Sequence, residues 1–159
     1  MKKEILIDLM DLDEHSGFGE IERMYANIFS KIDIPDMHLN FLVRDKQMNT
    51  YGEKVGYLKH RSIYKVFPFL ISRHFDLWHS VHQLYRECPR NKSTKRILTI
   101  HDLNFLYEKN KKKAQKYLNA VCDKINNAHH LVAISNFAKN EVLKNCKVEE
   151  DKPFDVILN

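Results

Sequence analysis

The chain has 159 residues, of which 43% are hydrophobic and 30% are charged, and its formal net charge is +5 at pH 7. This length and composition fit one globular domain with its own core and exclude a disordered chain. The longest apolar stretch, residues 63–71, is interrupted by Lys65 and Pro68 and falls short of the ~20 apolar residues that a membrane span needs. The basic excess is compatible with nucleic acid, an anionic membrane or a phosphorylated substrate, and it does not choose among them.

The cysteines indicate a reducing compartment. Cys88, Cys122 and Cys146 are odd in number, widely spaced and form no CxxC motif, which argues against a disulfide framework and against a cysteine zinc site. The first apolar run ends quickly at Asp11 and Asp13, so it is typical of a buried strand and not of a signal peptide. We therefore expect a cytoplasmic protein with reduced cysteines.

The first part of the chain predicts a strand, a glycine-containing turn and a helix. Residues 4–9 form a short apolar strand, and residues 10–16 form the loop that follows it. Apolar side chains at helical spacing then predict an amphipathic helix over roughly residues 19–31. They are Ile21, Met24, Tyr25, Ile28, Phe29 and Ile32.

The turn before this helix contains Gly17, Phe18 and Gly19. Glycine allows a close approach of a ligand, and the free N–H groups of a helix start attract anions such as a pyrophosphate. The residues match neither GxGxxG nor a P-loop, so an ordinary strand-to-helix turn remains an alternative. Glu20 and Glu22 suit the helix dipole but would repel a phosphate unless they point away from it.

The middle of the chain predicts further strands. Residues 37–43 and 75–81 have strand patterns, and between them lies a long loop with a short edge strand around residues 54–58 and a short helix that begins at Pro68. His79 and His82 are three residues apart, which on a strand places them on opposite faces and disfavours a shared metal.

A histidine and an aspartate follow the next apolar run. Ile97, Leu98 and Ile100 predict a strand buried on both faces, and His101 and Asp102 come directly after it. Ligands of open parallel sheets bind beyond the carboxyl ends of the strands, so this pair stands where chemistry usually occurs. The alternative is a pair that only caps the strand.

The remaining elements continue the alternation. A helix is predicted over residues 108–127, and lysines crowd its first two turns, which indicates either an anionic partner or a solvated face. A strand at residues 130–134 leads to Ser135, a favourable N-cap for the next helix. A last strand at residues 154–158 stops at Asn159, which we interpret as a domain boundary. The alternation predicts an α/β fold, a Rossmann-like three-layer domain with a mainly parallel sheet.

Three motifs in order carry a resemblance to a known family. They are the glycine turn of residues 17–19, the segment 98–103 (LTIHDL), and the segment 131–138 (LVAISNFA) followed by a helix and the terminal DVILN. Together they resemble the N-terminal half of GT-B glycosyltransferases, specifically the retaining glycosyltransferase family 4, also called group 1. The resemblance covers essentially all 159 residues.

The resemblance implies a function and a division of roles. Residues 1–159 would be the single Rossmann-like N-terminal domain, and the C-terminal domain that binds the nucleotide sugar would be absent from this chain. The enzyme would transfer a sugar from a nucleoside-diphosphate sugar to a saccharide or lipid-linked acceptor with retention, with neither a cofactor nor a bound metal, and this domain alone would be inactive. The implied site residues are His101 and Asp102 as catalytic residues, Gly17, Phe18 and Gly19 at the donor diphosphate, and His82, Gln83 and Ser135 on the acceptor side.

Other readings remain open. One is a stand-alone Rossmann-type binding module for a phosphorylated ligand or nucleic acid, although scattered cations without interleaved aromatics argue against nucleic acid. Another is a metal-dependent hydrolase that uses some of the nine histidines. The basic segments 109–116 and 63–75 also predict peripheral contact with an anionic membrane, at its inner face.

Overall fold

A computed structural model describes residues 2–85, 87, 89 and 91–158 of the chain. The polypeptide divides into two compact units, Met1–Val81 with Arg86–Lys95, and His82–Tyr85 with Arg96–Asn159. Both units contain parallel strands joined by helices and loops. The single domain expected over residues 1–159 stays a prediction.

The first unit contains parallel strands in the order β3-β2-β1-β4. Its regular elements are β1 (Lys3–Asp8), α1 (Gly17–Phe29), β2 (Met37–Val43), β3 (Gly56–Lys59) and β4 (Leu77–Ser80). Single turns of 3-10 helix occupy Asp45–Gln47, Ser62–Lys65 and Pro68–Leu70. Every element predicted for this part of the chain is present, with ends shifted by at most two residues.

Burial in the first unit follows the apolar strand pattern but not the apolar helix pattern. Leu6 and Ile7 on β1 are almost completely buried, as expected for a strand covered on both faces. On α1 the buried positions are instead Gly19, Glu22 and Ala26, while several apolar side chains of that helix are exposed. The helix therefore turns Gly19, Glu22 and Ala26 inward, and the predicted apolar stripe lies partly in solvent.

The second unit contains the strands β5, β6 and β7, which pair in parallel in that order. Its elements are β5 (Lys95–Ile100), α2 (Phe105–Glu108), α3 (Lys111–Asn127), β6 (His130–Ala133), α4 (Asn136–Asn145) and β7 (Phe154–Val156). Its core is formed by apolar side chains of β5, β6, α3 and α4, including Leu98, Ile100, Val121, Ile125, Leu131 and Val142.

The helix predicted over residues 108–127 is wrong at its start. The segment forms two helices, because Asn110 adopts an extended conformation and its side chain accepts a hydrogen bond from the backbone N–H of Lys113 at 3.0 Å. An asparagine in this role ends the preceding turn and starts a new helix. The buried stripe of α3, with Ala114, Val121 and Ile125, agrees with the predicted one.

The expectation of unpaired cysteines is also wrong for two of them. Cys122 on α3 and Cys146 at the end of α4 form a disulfide, with their Cα atoms 5.3 Å apart. The pairing depends on how two helices pack, and the spacing of cysteines along the sequence carries no information about that. Cys88 lies outside the described residues.

The α/β class predicted from the sequence is confirmed. Helices or 3-10 turns separate the successive strands except β4 and β5, the strand pairs of the described residues are parallel, and the architecture is consistent with a Rossmann-like three-layer domain. In the described part of the chain, no helix is both long enough and apolar enough to cross a bilayer.

Candidate functional site

The histidine–aspartate pair lies at the carboxyl edge of the second unit. β5 ends at Ile100, whose partner in the register is Ala133 at the end of β6. His101 and Asp102 therefore leave the sheet at the same edge as Ser135. His101 is largely buried, with 6% of its surface exposed. The location predicted for the pair is the one observed.

The side chain of Gln83 holds the backbone of this pair. Its Nε2 donates to the carbonyl oxygen of Asp102 at 2.8 Å, and its Oε1 accepts from the backbone N–H of His101 at 3.2 Å. Gln83 is 1% exposed, and its own carbonyl oxygen accepts a hydrogen bond from Nζ of Lys124 at 2.9 Å. The amide thus replaces the sheet hydrogen bonds that are lost where β5 ends, and it fixes the position of the His101 backbone.

His82 packs against His101 as a neutral ring. The two ring centroids are 5.8 Å apart, and Nδ1 of His82 accepts a hydrogen bond from the backbone N–H of Leu84 at 3.1 Å. Burial, with smaller contributions from His101 and Lys124, lowers the pKa of His82 from 6.5 to about 3. An Nδ1 that accepts a hydrogen bond carries no proton, in agreement with this direction. The uncharged ring of His82 therefore forms one side of the surroundings of His101.

Asp102 and Ser135 shape the backbone at this edge. Oδ1 of Asp102 accepts from the backbone N–H of Asn104 at 3.0 Å, which forms the turn into α2. Oγ of Ser135 accepts from the backbone N–H of Ala138 at 3.1 Å and caps α4, so the predicted N-cap is confirmed. The acceptor-side roles of His82, Gln83 and Ser135 stay predictions.

The arrangement suits a positioning task. A buried imidazole with a fixed backbone can donate or accept one hydrogen bond with little loss of conformational entropy on binding. The neutral His82 ring packs against His101, and the amide of Gln83 bonds its backbone.

The glycine turn of the first unit is held by its own loop. Oγ of Ser16 accepts from the backbone N–H of Gly19 at 3.2 Å and caps α1. A Cβ added at Gly19 would lie 2.1 Å from the carbonyl oxygen of Glu14 and 2.8 Å from that of Asp11. Within the described structure, a Cβ at Gly17 would meet nothing within 4 Å. The loop backbone leaves no space for a side chain at Gly19, whereas the space beside Gly17 is open to a ligand.

The loop around this turn is rich in carboxylates. The carboxylate of Glu22 is buried and accepts from the backbone N–H of Asp11 at 2.7 Å, in the loop that packs against the start of α1. Nη1 of Arg23 donates to the carbonyl oxygens of Leu12 and Glu14 at 2.7 and 3.0 Å. Another arginine pairs with the acidic side chains of the loop: Arg44 lies 3.2 Å from Glu14 and 3.8 Å from Asp11. The arginines are thus occupied by the loop, and the local charge is unfavourable for an anion.

The histidines of the described residues do not assemble into a metal centre. In the parts of the chain that the structure describes, no group of three His, Cys, Asp or Glu side chains is placed to hold a metal ion. Burial lowers the pKa of His79 from 6.5 to about 4, and its ring contacts that of Tyr25 at a centroid distance of 6.5 Å. The buried His79 ring thus packs against an aromatic neighbour.

A comparison with protein-family models finds no match for this chain, and a comparison with curated proteins finds none either.

Sequence reasoning named Gln83 but missed the contacts that support the candidate site. Gln83 is predicted on the acceptor side, and its hydrogen bonds to the backbone of His101 and Asp102 were not expected. Lys124 stands in the last turn of α3, where nothing in the periodic pattern marks it. The available signal for these contacts was a glutamine shortly after an apolar strand. If such a glutamine is buried, its amide needs hydrogen-bond partners nearby.

Proposed function

We propose that the chain is the N-terminal half of a retaining glycosyltransferase that transfers a sugar from a nucleoside-diphosphate sugar to a saccharide or lipid-linked acceptor. The observation that carries the proposal is His101, a buried imidazole at the carboxyl end of β5 whose backbone is held by Gln83. The order of the three sequence motifs along a parallel α/β fold supports it.

His101 is assigned the contact with a hydroxyl group of the donor sugar. Its contribution is to orient the anomeric carbon for attack, and a positioning contribution of this kind is lost with small displacements of the group. Asp102 supports the turn through its bond to the N–H of Asn104 and is assigned a shaping role. Gln83 is assigned the same role for the His101 backbone, and its acceptor-side role remains part of the proposal.

The donor diphosphate is assigned mainly to groups outside this chain. Stabilising a departing phosphate is an electrostatic task that needs cations or free N–H groups. The described arginines nearest the glycine turn, Arg23 and Arg44, are bonded to the loop itself. Gly17 and Phe18 are left with at most a backbone contact, and this chain alone is expected to be inactive.

Two measurements test the proposal on the 159-residue chain. Incubation with a panel of nucleoside-diphosphate sugars should release no nucleoside diphosphate, because the phosphate-stabilising groups are missing. Titration with the same sugars and with simple saccharides, followed by NMR of the imidazole resonances, should move the His101 signals. The matched control is His130, which pairs with Asp155 at the amino end of β6 and should not respond.

The same assignment extends to the complete enzyme that the proposal implies. There His101→Ala should reduce turnover by roughly 100-fold or more, while His130→Ala leaves it nearly unchanged. Turnover by the 159-residue chain alone, or a His101 signal that no sugar moves, would contradict the proposal.

A second function has one specific observation in its favour. Lys111, Lys112, Lys113 and Lys116 are exposed on the first turns of α3, and no acidic residue stands in its first turn. A stand-alone binding module could use this surface for a phosphorylated ligand or nucleic acid. Binding to random DNA with a steep salt dependence, lost in Lys111→Gln with Lys112→Gln, would favour it.

A further inference from the structure

The connection between β3 and β4 carries a cluster of exposed apolar side chains. Its two 3-10 turns present Ile63, Val66, Phe67, Phe69 and Leu70, whose exposed fractions are 46%, 69%, 44%, 53% and 44%. The rings of Phe67 and Phe69 contact each other edge to face at a centroid distance of 5.7 Å. We call these five residues the 63–70 patch. Contiguous exposed apolar side chains of this kind mark an interaction surface.

The segment that carries the patch is fastened to the first unit at both ends. Before the patch, Nε2 of His60 lies 2.8 Å from Oε1 of Glu87, and within it the side chain of Tyr64 is buried. After it, Nη2 of Arg73 donates to Oε2 of Glu4 at 2.7 Å, and its guanidinium stacks on Phe75. The exposed side chains are therefore presented by an anchored segment of backbone, and they are not the ends of a loose tail.

The Asp, Glu, Lys and Arg positions of the segment itself carry one sign of charge. From residue 60 to residue 75 the sequence contains Arg61, Lys65 and Arg73 and no aspartate or glutamate. Lys65 has an exposed side chain 3.8 Å from the carboxylate of Glu87, which is itself buried beneath the segment. Exposed aromatic and aliphatic side chains flanked by cations are the composition that binds an anionic lipid surface.

A cavity next to the patch has matching chemistry. It has a volume of about 290 Å³, shares Phe69 with the patch, and its lining includes Ile71, Phe75, Trp78 and the cation Arg73. The guanidinium of Arg73 in this lining is paired with Glu4, so the cavity adds apolar surface beside the patch.

We propose that the 63–70 patch docks the protein on an anionic phospholipid bilayer, with the apolar side chains in the interfacial region and Arg61 and Lys65 at the headgroup phosphates. The proposal does not rest on glycosyl transfer. Of the two basic segments that the sequence associates with a membrane, it selects this one and not the lysines of α3. The α3 segment offers cations, but its buried stripe faces the core of the second unit.

The test is sedimentation of the 159-residue chain with lipid vesicles at low salt. Vesicles of phosphatidylcholine with phosphatidylglycerol should bind it, and vesicles of phosphatidylcholine alone should bind it far more weakly. Phe67→Ser with Phe69→Ser should weaken partitioning at least about tenfold, and each of Arg61→Gln and Lys65→Gln about fivefold.

Two matched controls locate the binding surface. Phe137→Ser removes a phenyl ring that is 61% exposed on α4, and Lys111→Gln with Lys112→Gln removes two exposed cations from α3. Both should bind vesicles like the unsubstituted chain. Circular dichroism of every variant establishes that the fold is retained, as expected for exposed positions.

Three results would overturn the proposal. The first is a chain that does not bind anionic vesicles. The second is a patch variant that binds as well as the unsubstituted chain, or an α3 variant that loses as much as the patch variant. The third is self-association of the unsubstituted chain in analytical ultracentrifugation, together with a patch variant that is monomeric and still binds vesicles equally well. That result would assign the patch to contact with a second copy of the chain.

Discussion

Replacing Gln83 by leucine should reveal how firmly the backbone at His101 is held. The substitution keeps the side-chain size but removes the hydrogen bonds to Asp102 O and from His101 N, at 2.8 and 3.2 Å. Because the site is 1% exposed, water cannot replace the lost partners. A buried N–H and a buried C=O left unpaired cost about 2–4 kcal/mol of unfolding free energy together. A chain of this length should then melt roughly 4–16 °C lower.

Urea unfolding followed by circular dichroism measures this loss, and Gln115→Leu is the matched control. Gln115 lies on the exposed face of α3 and bonds only Asn119, so its replacement should change the unfolding free energy by less than about 0.5 kcal/mol. If Gln83→Leu and Gln115→Leu lose the same amount, the amide does not hold the backbone and the reasoning fails.

Gln83→Glu separates the two hydrogen bonds. The introduced carboxylate can still accept from the N–H of His101 but faces the carbonyl oxygen of Asp102, which raises its pKa in the folded state. Protonation restores the donor, so the stabilisation is present below the unfolded pKa of about 4.3 and is lost as pH rises through the folded pKa. A deficit relative to the unsubstituted chain that does not shrink on acidification would contradict this assignment of donor and acceptor.

Three further predictions concern other parts of the chain. Gly19→Ala should lower the unfolding free energy by about 1–3 kcal/mol, because the added Cβ overlaps the loop backbone. Gly17→Ala should change it by less than about 0.5 kcal/mol, and equal melting temperatures of the two variants would refute the close approach. Reducing the Cys122–Cys146 bond, which closes a separation of 24 residues, should lower the unfolding free energy by about 3 kcal/mol, and a free-thiol assay that finds both thiols without reductant would contradict the pairing. Since the pKa of His82 falls from 6.5 to about 3 on folding, the unfolded chain takes up a proton first on acidification, and this residue should lower stability by about 1.4 kcal/mol per pH unit between those values. His79, whose pKa falls to about 4, adds a slope of the same sign over its own range, so His82→Phe should remove about half of the slope at pH values between these two groups' ordinary and lowered pKa, and an unchanged slope in urea titrations would assign it elsewhere.

The fold was predictable because each strand and helix has a local signature. The apolar run of β1, the Ser135 cap and the inner face of α3 appear in the structure much as the periodicity indicates. Errors arise where one residue overrides a pattern. Asn110 starts a new helix inside a continuous periodic stretch, and Glu22 is buried because a backbone N–H of the preceding loop bonds its carboxylate.

The candidate site was predictable in position and not in detail. A histidine after a buried strand indicates the carboxyl edge of a parallel sheet, and His101 lies there. The partners of that histidine come from distant parts of the chain: Gln83 precedes it by 18 residues and contacts its N–H, while Lys124 reaches Gln83 from 41 residues away. No periodic pattern relates residues so far apart.

The sequence by itself determined the order of strands and helices, the α/β class and the edge at which His101 emerges, because these follow from hydrophobic periodicity, capping and strand ends. The tertiary structure decided which polar groups are satisfied and by what: the amide of Gln83 at the His101 turn, the loop carbonyls against Gly19, and the union of Cys122 with Cys146. The physical reason is the distance along the chain over which each kind of interaction acts. Periodicity and capping act within a few residues, whereas hydrogen bonds, steric contacts and disulfides depend on distances that only the packed chain defines.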